Sequence, residues 1–465
     1  MGTSKGQWGS SIGFLMAAVG SAVGLGNLWG FPYKMGMNGG FAFLILYLIL
    51  AILVGFVIMT GELVIGRYTG KGVIAAYRTI NNKFTFLGYM AFICPILILS
   101  FYCMLGGYCL RYAIGNIGTL FGASWGINGA DPGEFFTAFF TNGVSTSVYS
   151  AIFVGLTVLI VVAGIKGGIE SFTKIAMPAL FIMLLIVIVR SVTLPGAAEG
   201  VAFMFKPNWE VFQGHGWVSV LASAGGQMFF SLSLGMGIML TYGSYLSKKE
   251  KIEQSAFIIP IADTIIAIMA GLAVMPAVFA MGMEPNQGPG LLFVTLQGVF
   301  EAMGAMGPVF GFILYTLVFI AAITSSISLM EVAVSAIIDV SEKRGRRANR
   351  RKITVTMGII VTLMAIWVSV DALGEGPLPH IGQFVWLDFF DLLSEGIMMP
   401  LGALIMSLLL GWGMGADWMR KEITLEGNQW KSERFSMICL RVISPLGVLF
   451  VLLGQINNFF SLGWF

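Results

Sequence analysis

Charge is scarce in this chain. Only 11% of its 465 residues are Asp, Glu, Lys or Arg, 57% are hydrophobic, and the mean hydropathy is +0.88. A soluble domain carries about 25% charged residues, so a water-soluble globule is excluded and an all-α polytopic membrane protein is expected. The formal net charge is only +3 and no basic arm stands out. The lipid bilayer is therefore an expected partner and nucleic acid is not. Histidine is nearly absent: His215 and His380 both sit near the ends of apolar segments, too few for a zinc or histidine-based mechanism. The four cysteines, Cys94, Cys103, Cys109 and Cys439, all fall within apolar segments and read as small buried hydrophobes, not a disulfide framework. Neither HExxH nor a P-loop occurs, and no enzymatic activity and no organic cofactor are expected. Only a short polar start (Met1 to Gly9) precedes the first apolar segment, so no cleavable signal peptide is expected.

What the chain has in quantity is long apolar segments. A helix needs roughly 20 apolar residues to span a bilayer. Eleven candidates follow, at about 12–33, 41–67, 88–118, 148–165, 174–194, 217–243, 255–282, 308–340, 354–372, 386–412 and 437–460. Basic residues test this count. With the N-terminus in the cytoplasm, Lys5, Lys71, Arg78, Lys166, Lys248, Lys249, Lys251, the 343–352 cluster, Arg420 and Lys431 all fall inside, whereas the outside loops 119–147, 283–307 and 373–385 contain no Lys or Arg. The outside loops carry turn signals such as Asn128-Gly129-Ala130-Asp131-Pro132-Gly133 and read as ordered caps.

Two apolar segments are interrupted. Gly20-Ser21-Ala22-Val23-Gly24-Leu25-Gly26-Asn27 lies in the middle of the first, and Ser231-Leu232-Ser233-Leu234-Gly235-Met236-Gly237 lies in the sixth. Glycine is a poor helix former, and unwound backbone at bilayer depth is tolerated only where protein buries it or it lines a cavity. Each break opens a unit of five spans, which inverts the second unit relative to the first. One transporter domain over 1–465 is expected, with repeats at about 10–195 and 215–412 and a final helix at about 437–460. A zwitterion moved to this depth must shed water from both charged ends, and an unpaired buried charge is costly. Amides at a half-helix N-terminus suit its carboxylate, while free carbonyls, hydroxyls and the Asn27 amide oxygen suit a small hard cation.

Gly20 to Pro32 followed by Asn38-Gly39-Gly40, then Gly61-Glu62-Leu63-Val64-Ile65-Gly66-Arg67, Gln227 to Gly235 and Thr324-Ser325-Ser326 together resemble the neurotransmitter:sodium symporter family, in its bacterial hydrophobic amino acid transporter form. The likeness runs in order along essentially the whole chain. It implies two Na⁺ ions. The first would use Ala22, Asn27, Ser231 and Asp263 with the substrate carboxylate, and the second Gly20, Val23, Ala321, Thr324 and Ser325. It implies a substrate pocket of Ser21, Ala22, Gly24, Leu25, Gly26, Ile98, Tyr102, Phe230, Ser231, Ser233, Met236, Ser325 and Leu329, with Tyr102 and Phe230 as an aromatic lid. Amine-carrying members have aspartate where this chain has Gly24, so a substrate bringing its own carboxylate is implied. The apolar pocket side chains then favour a neutral, hydrophobic or aromatic amino acid. The chloride pocket of relatives is matched only in part: Tyr47, Gln227 and Ser231 are present but Ala267 replaces a serine. Asp263, an ionisable group inside an apolar span, is expected to supply the negative charge instead and to be a candidate proton acceptor on the empty return.

The gates depart from the family. Gly30 stands where many members have an arginine paired with an acid in the tenth span. The matching acid is expected to be Asp391, with Asp388 the alternative and Lys34 a possible replacement cation. Inside, Lys5 and Asp339 fit the cytoplasmic latch, beside Trp8, Ser244 and Tyr245. Gly168 and Pro178 are either a site of local unwinding in the fifth span or an ordinary helix start and kink. Glu62 and Arg67 read as structural. The alternative functions are a carrier of a different small amine or amino acid, or more remotely a channel or receptor. Oligomeric state is not readable.

Overall fold

The computed structural model describes residues 6–213, 216–283, 290–345 and 347–464; the candidate latch residue Lys5 and His215 lie outside them. Among the described residues nine helices are individually long and apolar enough to cross a membrane, and the pair Ser11–Ala22 and Gly26–Met37, bent by 45° at its break, makes a tenth. The sixth expected span is helical in two pieces, Gly216–Ser231 and Ile238–Gly243, of 16 and 6 residues. Neither piece reaches spanning length, which is the direct consequence of the interruption.

The other spans are Phe41–Thr69, Asn82–Leu120, Gly143–Val162, Ile165–Val192, Ile252–Ala280, Gly304–Lys343, Arg350–Gly374, Trp386–Ile423 and Glu433–Phe460. Several run well past the expected boundaries. The eighth shows what sets the centre of the bundle: every residue from Ala321 to Ala336 is buried. A helix apolar on all sides and buried all round belongs inside. It packs along the third span and touches the first, so the break in the first span faces Thr324-Ser325. In contrast the fourth and fifth spans leave Ile152, Leu159, Ile175, Ile182 and Val189 exposed, as lipid-facing helices do.

The turn signal after the third span does what its residues favour. Asn128 and Gly129 take positive φ (49° and 73°), and the Asp131 side chain caps helix Pro132–Phe140 by accepting from the Glu134 amide at 2.9 Å. The fifth span begins with a wide turn at Ile165–Glu170 that contains Gly168, whose Cα lies so close to the Ile160 carbonyl that a side chain would collide with it. Glu170 reaches back to the first span, accepting from the Gly9 amide (2.6 Å), Ser10 Oγ (3.1 Å) and Lys174 Nζ (2.6 Å). Pro178 lies within the regular helix that follows. Arg67 ties the second span to the tenth through Glu422 Oε1 (2.7 Å) and to the loop before the seventh through the Glu250 carbonyl (2.6 Å).

Candidate functional site

The first helix stops at Ala22 because Val23 leaves helical geometry (φ −79°, ψ 99°) while its amide still bonds to Val19. The next amides then need other partners. Gly24 N donates to Asn27 Oδ1 (3.2 Å) and Leu25 N to the Tyr102 hydroxyl (3.1 Å). A side chain at Gly24 has no space: a Cβ there would collide with Ser325 Oγ and lie 2.5 Å from Tyr102 Oη. The second break uses positive φ at Ser233 (55°), Gly235 (78°) and Gly237 (78°). Glycine adopts this freely, whereas Ser233 does so at a cost of the kind found at functional sites. Glu62, almost fully buried, accepts from the Gly235 amide at 2.7 Å and the Leu240 amide at 3.2 Å. A carboxylate thus holds the unwound stretch and the start of the helix beyond it.

Between the two breaks lies a cavity of about 20 Å³ lined by Ser21, Ala22, Gly24, Gly26, Ile98, Tyr102, Phe230, Ser233, Met236, Ser325 and Leu329, with Ile238 in addition. It has room for at least a water molecule. Tyr102 and Phe230 close one side with ring centroids 6.5 Å apart at 47°. The Ser21 carbonyl accepts from Ser233 Oγ (3.1 Å) and Ser325 Oγ (3.0 Å), which joins the first, sixth and eighth spans. Two residues expected to meet the substrate's backbone groups bond to neighbouring side chains. Leu25 contributes its amide to Tyr102, and Ser231 turns its hydroxyl to Asp263, 2.9 Å from Oδ2. Neither lines the cavity.

Beside the cavity, Asp263 is fully buried. Asn27 Nδ2 donates to its Oδ1 (2.7 Å), and the Tyr47 hydroxyl donates to its Oδ2 (2.9 Å). All three side chains that donate to it, Asn27, Tyr47 and Ser231, are neutral, so an ionised Asp263 is a buried charge with no cation among these hydrogen-bond partners. Such a group calls for a compensating charge, and carbonyl, amide and hydroxyl oxygens like those around it are the donor types that suit a hard cation. Tyr47 and Ser231, two side chains of the expected chloride pocket, are engaged by this carboxylate. The third, Gln227, donates to the Gly26 carbonyl (2.7 Å), and its own Oε1 is buried without a hydrogen-bond partner among the described residues.

A second cluster of oxygens lies against the eighth span. Thr324 Oγ1 donates to the Ala321 carbonyl (2.8 Å) and lies 3.5 Å from the Val23 carbonyl. A Cβ on Gly20 would stand 3.4 Å from Thr324 Cβ. Ser325 belongs to this cluster by sequence, but its hydroxyl is directed to Ser21 on the cavity side.

A family model described as the sodium:neurotransmitter symporter family matches residues 5–125 and 141–464. The chain belongs to this family. It is 36% identical to a sodium-dependent transporter of uncharacterised role from Bacillus subtilis, over 97% of this chain and 98% of the relative. It is 27% identical to the sodium- and chloride-dependent GABA transporter 2 of Rattus norvegicus, over 88% of this chain and 73% of that protein. The fold matches the crystal structure of MhsT in complex with L-phenylalanine with TM-score 0.87 and 36% identity, covering 97% of this chain and all of that one. The protein is thus a multi-pass membrane transporter of a sodium-using family.

Two gate readings change in this symporter. Lys34 forms its ion pair with Glu395, not with Asp391. Asp391 stands four residues earlier, at the end of helix Trp386–Asp391, and Glu395 lies in the wide turn Leu392–Met398 that follows. Gly30, where an arginine was absent, is closed by Gln227: a Cβ there would be 3.0 Å from Gln227 Oε1. At the other end Asp339 accepts from the Gly72 amide, and its expected partner Lys5 is outside the described residues. Trp8 donates to the Tyr242 carbonyl (3.1 Å) and packs edge-on against Tyr242 and Tyr245, and the Ser244 hydroxyl donates to the Thr241 carbonyl (2.7 Å). Glu331 was missed. It is fully buried, pairs with Arg350 and accepts from the Tyr245 hydroxyl at 2.6 Å, while Arg350 Nε donates to the Val161 carbonyl at 3.1 Å. The signal was available, since Glu331, Glu395 and Glu62 are all ionisable residues inside apolar spans. The run Gly122-Ala123-Ser124-Trp125-Gly126 spells the G-x-S-x-G of hydrolases, but it forms turns after the third span with no strand before it, so it lacks the strand–turn–helix setting that motif requires.

Proposed function

We propose that this symporter couples two Na⁺ ions to the uptake of a neutral, hydrophobic or aromatic amino acid without a chloride requirement. The observation that carries the reading is a largely apolar cavity lined by Gly24, which is too crowded for an acidic side chain and whose amide bonds to Asn27 Oδ1, the side chain that in turn holds the buried Asp263. A substrate must then supply its own carboxylate, and that carboxylate and the first Na⁺ neutralise each other. Ala22, Asn27, Ser231 and Asp263 hold this ion; Gly20, Val23, Ala321, Thr324 and Ser325 hold the second. The phenylalanine named with MhsT supports the substrate class. Met236 and Ile238 bound the side-chain end, and methionine adapts to differently shaped partners.

The chain is read with its N-terminus in the cytoplasm and as inverted repeats over about 10–195 and 215–412, with sites where the interrupted spans meet. Each charge crossing adds roughly 2.3 kcal/mol per 100 mV, so two Na⁺ with a zwitterion give a strong inward drive. Asp263, already bonded to Tyr47 and Ser231, takes the electrostatic role that chloride has in the GABA carriers. The test is uptake into proteoliposomes across leucine, phenylalanine, tryptophan, glycine and lysine, each in sodium chloride and in sodium gluconate. Preference for glycine or lysine defeats the substrate reading, and a large loss in gluconate defeats the chloride reading. A small amine without a carboxylate is the alternative. It would leave the first Na⁺ short of one ligand at Gly24.

A further inference from the structure

The largest concavity among the pockets described is not the transport site. It is a groove of about 960 Å³ between the second span, the seventh span and the segment leading into the eleventh. Its long wall is apolar: Ile52, Phe257, Ile261 and Ile265 line it and are 59%, 59%, 43% and 51% exposed, so it opens sideways to the hydrocarbon. Its other end is polar, bounded by Lys251 at the start of the seventh span and Lys431 before the eleventh. Both lysines fall on the side that the charge bias assigns to the cytoplasm, and neither forms an ion pair among the described residues. Glu253, the acid at this end, is already engaged: its carboxylate accepts from the Lys431 amide (3.1 Å) and the Ser432 amide (2.6 Å).

We infer that this groove is a binding site for one anionic phospholipid of the cytoplasmic leaflet, its acyl chain along Ile52, Phe257 and Ile261 and its phosphate between Lys251 and Lys431. Lipid-facing surface is general in such a protein. What distinguishes this face is the joining of a deep apolar groove to two lysines that form no ion pair among the described residues and outnumber the one acid, Glu253, beside them, a basic end of the kind that selects acidic headgroups between transmembrane helices. Another groove, lined by Thr141, Asn142, Ser147, Val148 and Val370 among others, has no lysine or arginine and makes an internal contrast. The far end of the lysine-capped groove reaches Thr264, next to Asp263 in sequence and in contact with the Tyr47 hydroxyl. A bound chain therefore packs against the back of the buried carboxylate's support. The inference does not depend on which amino acid is carried.

The test is native mass spectrometry of purified, delipidated protein offered phosphatidylglycerol or phosphatidylcholine of the same chain length. Wild type should retain one phosphatidylglycerol in preference. In the Lys251→Gln/Lys431→Gln double variant that affinity should fall roughly ten- to thirtyfold, because a lysine near an anionic headgroup contributes about fivefold. Ile52→Trp, which fills the groove, should expel both lipids while the thermal midpoint stays near wild type. Equal retention of the two lipids by wild type, unchanged phosphatidylglycerol binding in the double variant, or a folded Ile52→Trp protein that still holds the lipid would each overturn the site. Lipid counting reads binding directly, so a failure of the substrate assignment leaves this result interpretable.

Discussion

At the scale of single residues, Gly24 and Asp263 carry the account. Gly24 is needed for space, with Ser325 Oγ and Tyr102 Oη occupying the positions a side chain would take. Gly24→Asp adds both volume and an unpaired charge to a buried site. Overpacking alone costs about 1–3 kcal/mol, so substrate affinity should drop by at least about hundredfold in an equilibrium binding assay. Near-normal amino acid binding would show that the cavity is not where the substrate sits. Asp263→Asn keeps the size and removes the charge. Apparent Na⁺ affinity should weaken by more than about tenfold, read from the sodium dependence of substrate binding. An unchanged sodium curve would assign the negative charge elsewhere. Both residues were legible in sequence, one as a missing acid and one as an acid in an apolar run. The direction of the Ser325 hydroxyl was not legible, because a serine one residue from Thr324 can face either cluster and only the placement of Ser21 decides it.

At the scale of elements, the two breaks are held by different devices. The first is stabilised by Asn27 from its own span and by the Tyr102 hydroxyl from the third. The second depends on Glu62 from the second span. Glu62→Gln retains one acceptor oxygen and loses the charge-assisted pair of bonds, so stability should fall by about 1–3 kcal/mol, measured by thermal denaturation in detergent. A neutral result would make the cap dispensable. Lys34 and Glu395 form the ion pair beyond the aromatic pair. Lys34→Gln and Glu395→Gln should each slow uptake several-fold, because one leaves the buried Glu395 unpaired and the other the half-buried Lys34; the exchange Lys34→Glu/Glu395→Lys should recover part of the rate. A larger effect from Asp391→Asn than from Glu395→Gln would return the latch to Asp391. The acid that pairs with Lys34 was not legible, for a physical reason. Asp388, Asp391 and Glu395 lie near one face of a regular helix, and the wide turn at Leu392–Met398 changes which of them meets the lysine. Periodicity at 3.6 residues cannot foresee such a turn.

At the scale of the whole molecule, the number of spans, their order and the positions of both interruptions were legible, because hydropathy and glycine clusters report directly on what the bilayer allows. Partners joined across long separations were less so. Glu331 and Arg350, or Arg67 and Glu422, satisfy each other only after the bundle has formed. The cavity also belongs to this scale. Its walls come from the first, third, sixth and eighth spans, Tyr102, Phe230 and Ser325 among them, so a substrate there contacts all four. Sodium and substrate must then favour the same arrangement, and each must raise the other's affinity by the same factor. The most direct measurement is equilibrium binding of radiolabelled L-phenylalanine to the purified protein as sodium is replaced by potassium at constant ionic strength. The account predicts saturable binding in sodium, with chloride or gluconate as the anion, and its loss in potassium; equal binding in potassium would contradict it.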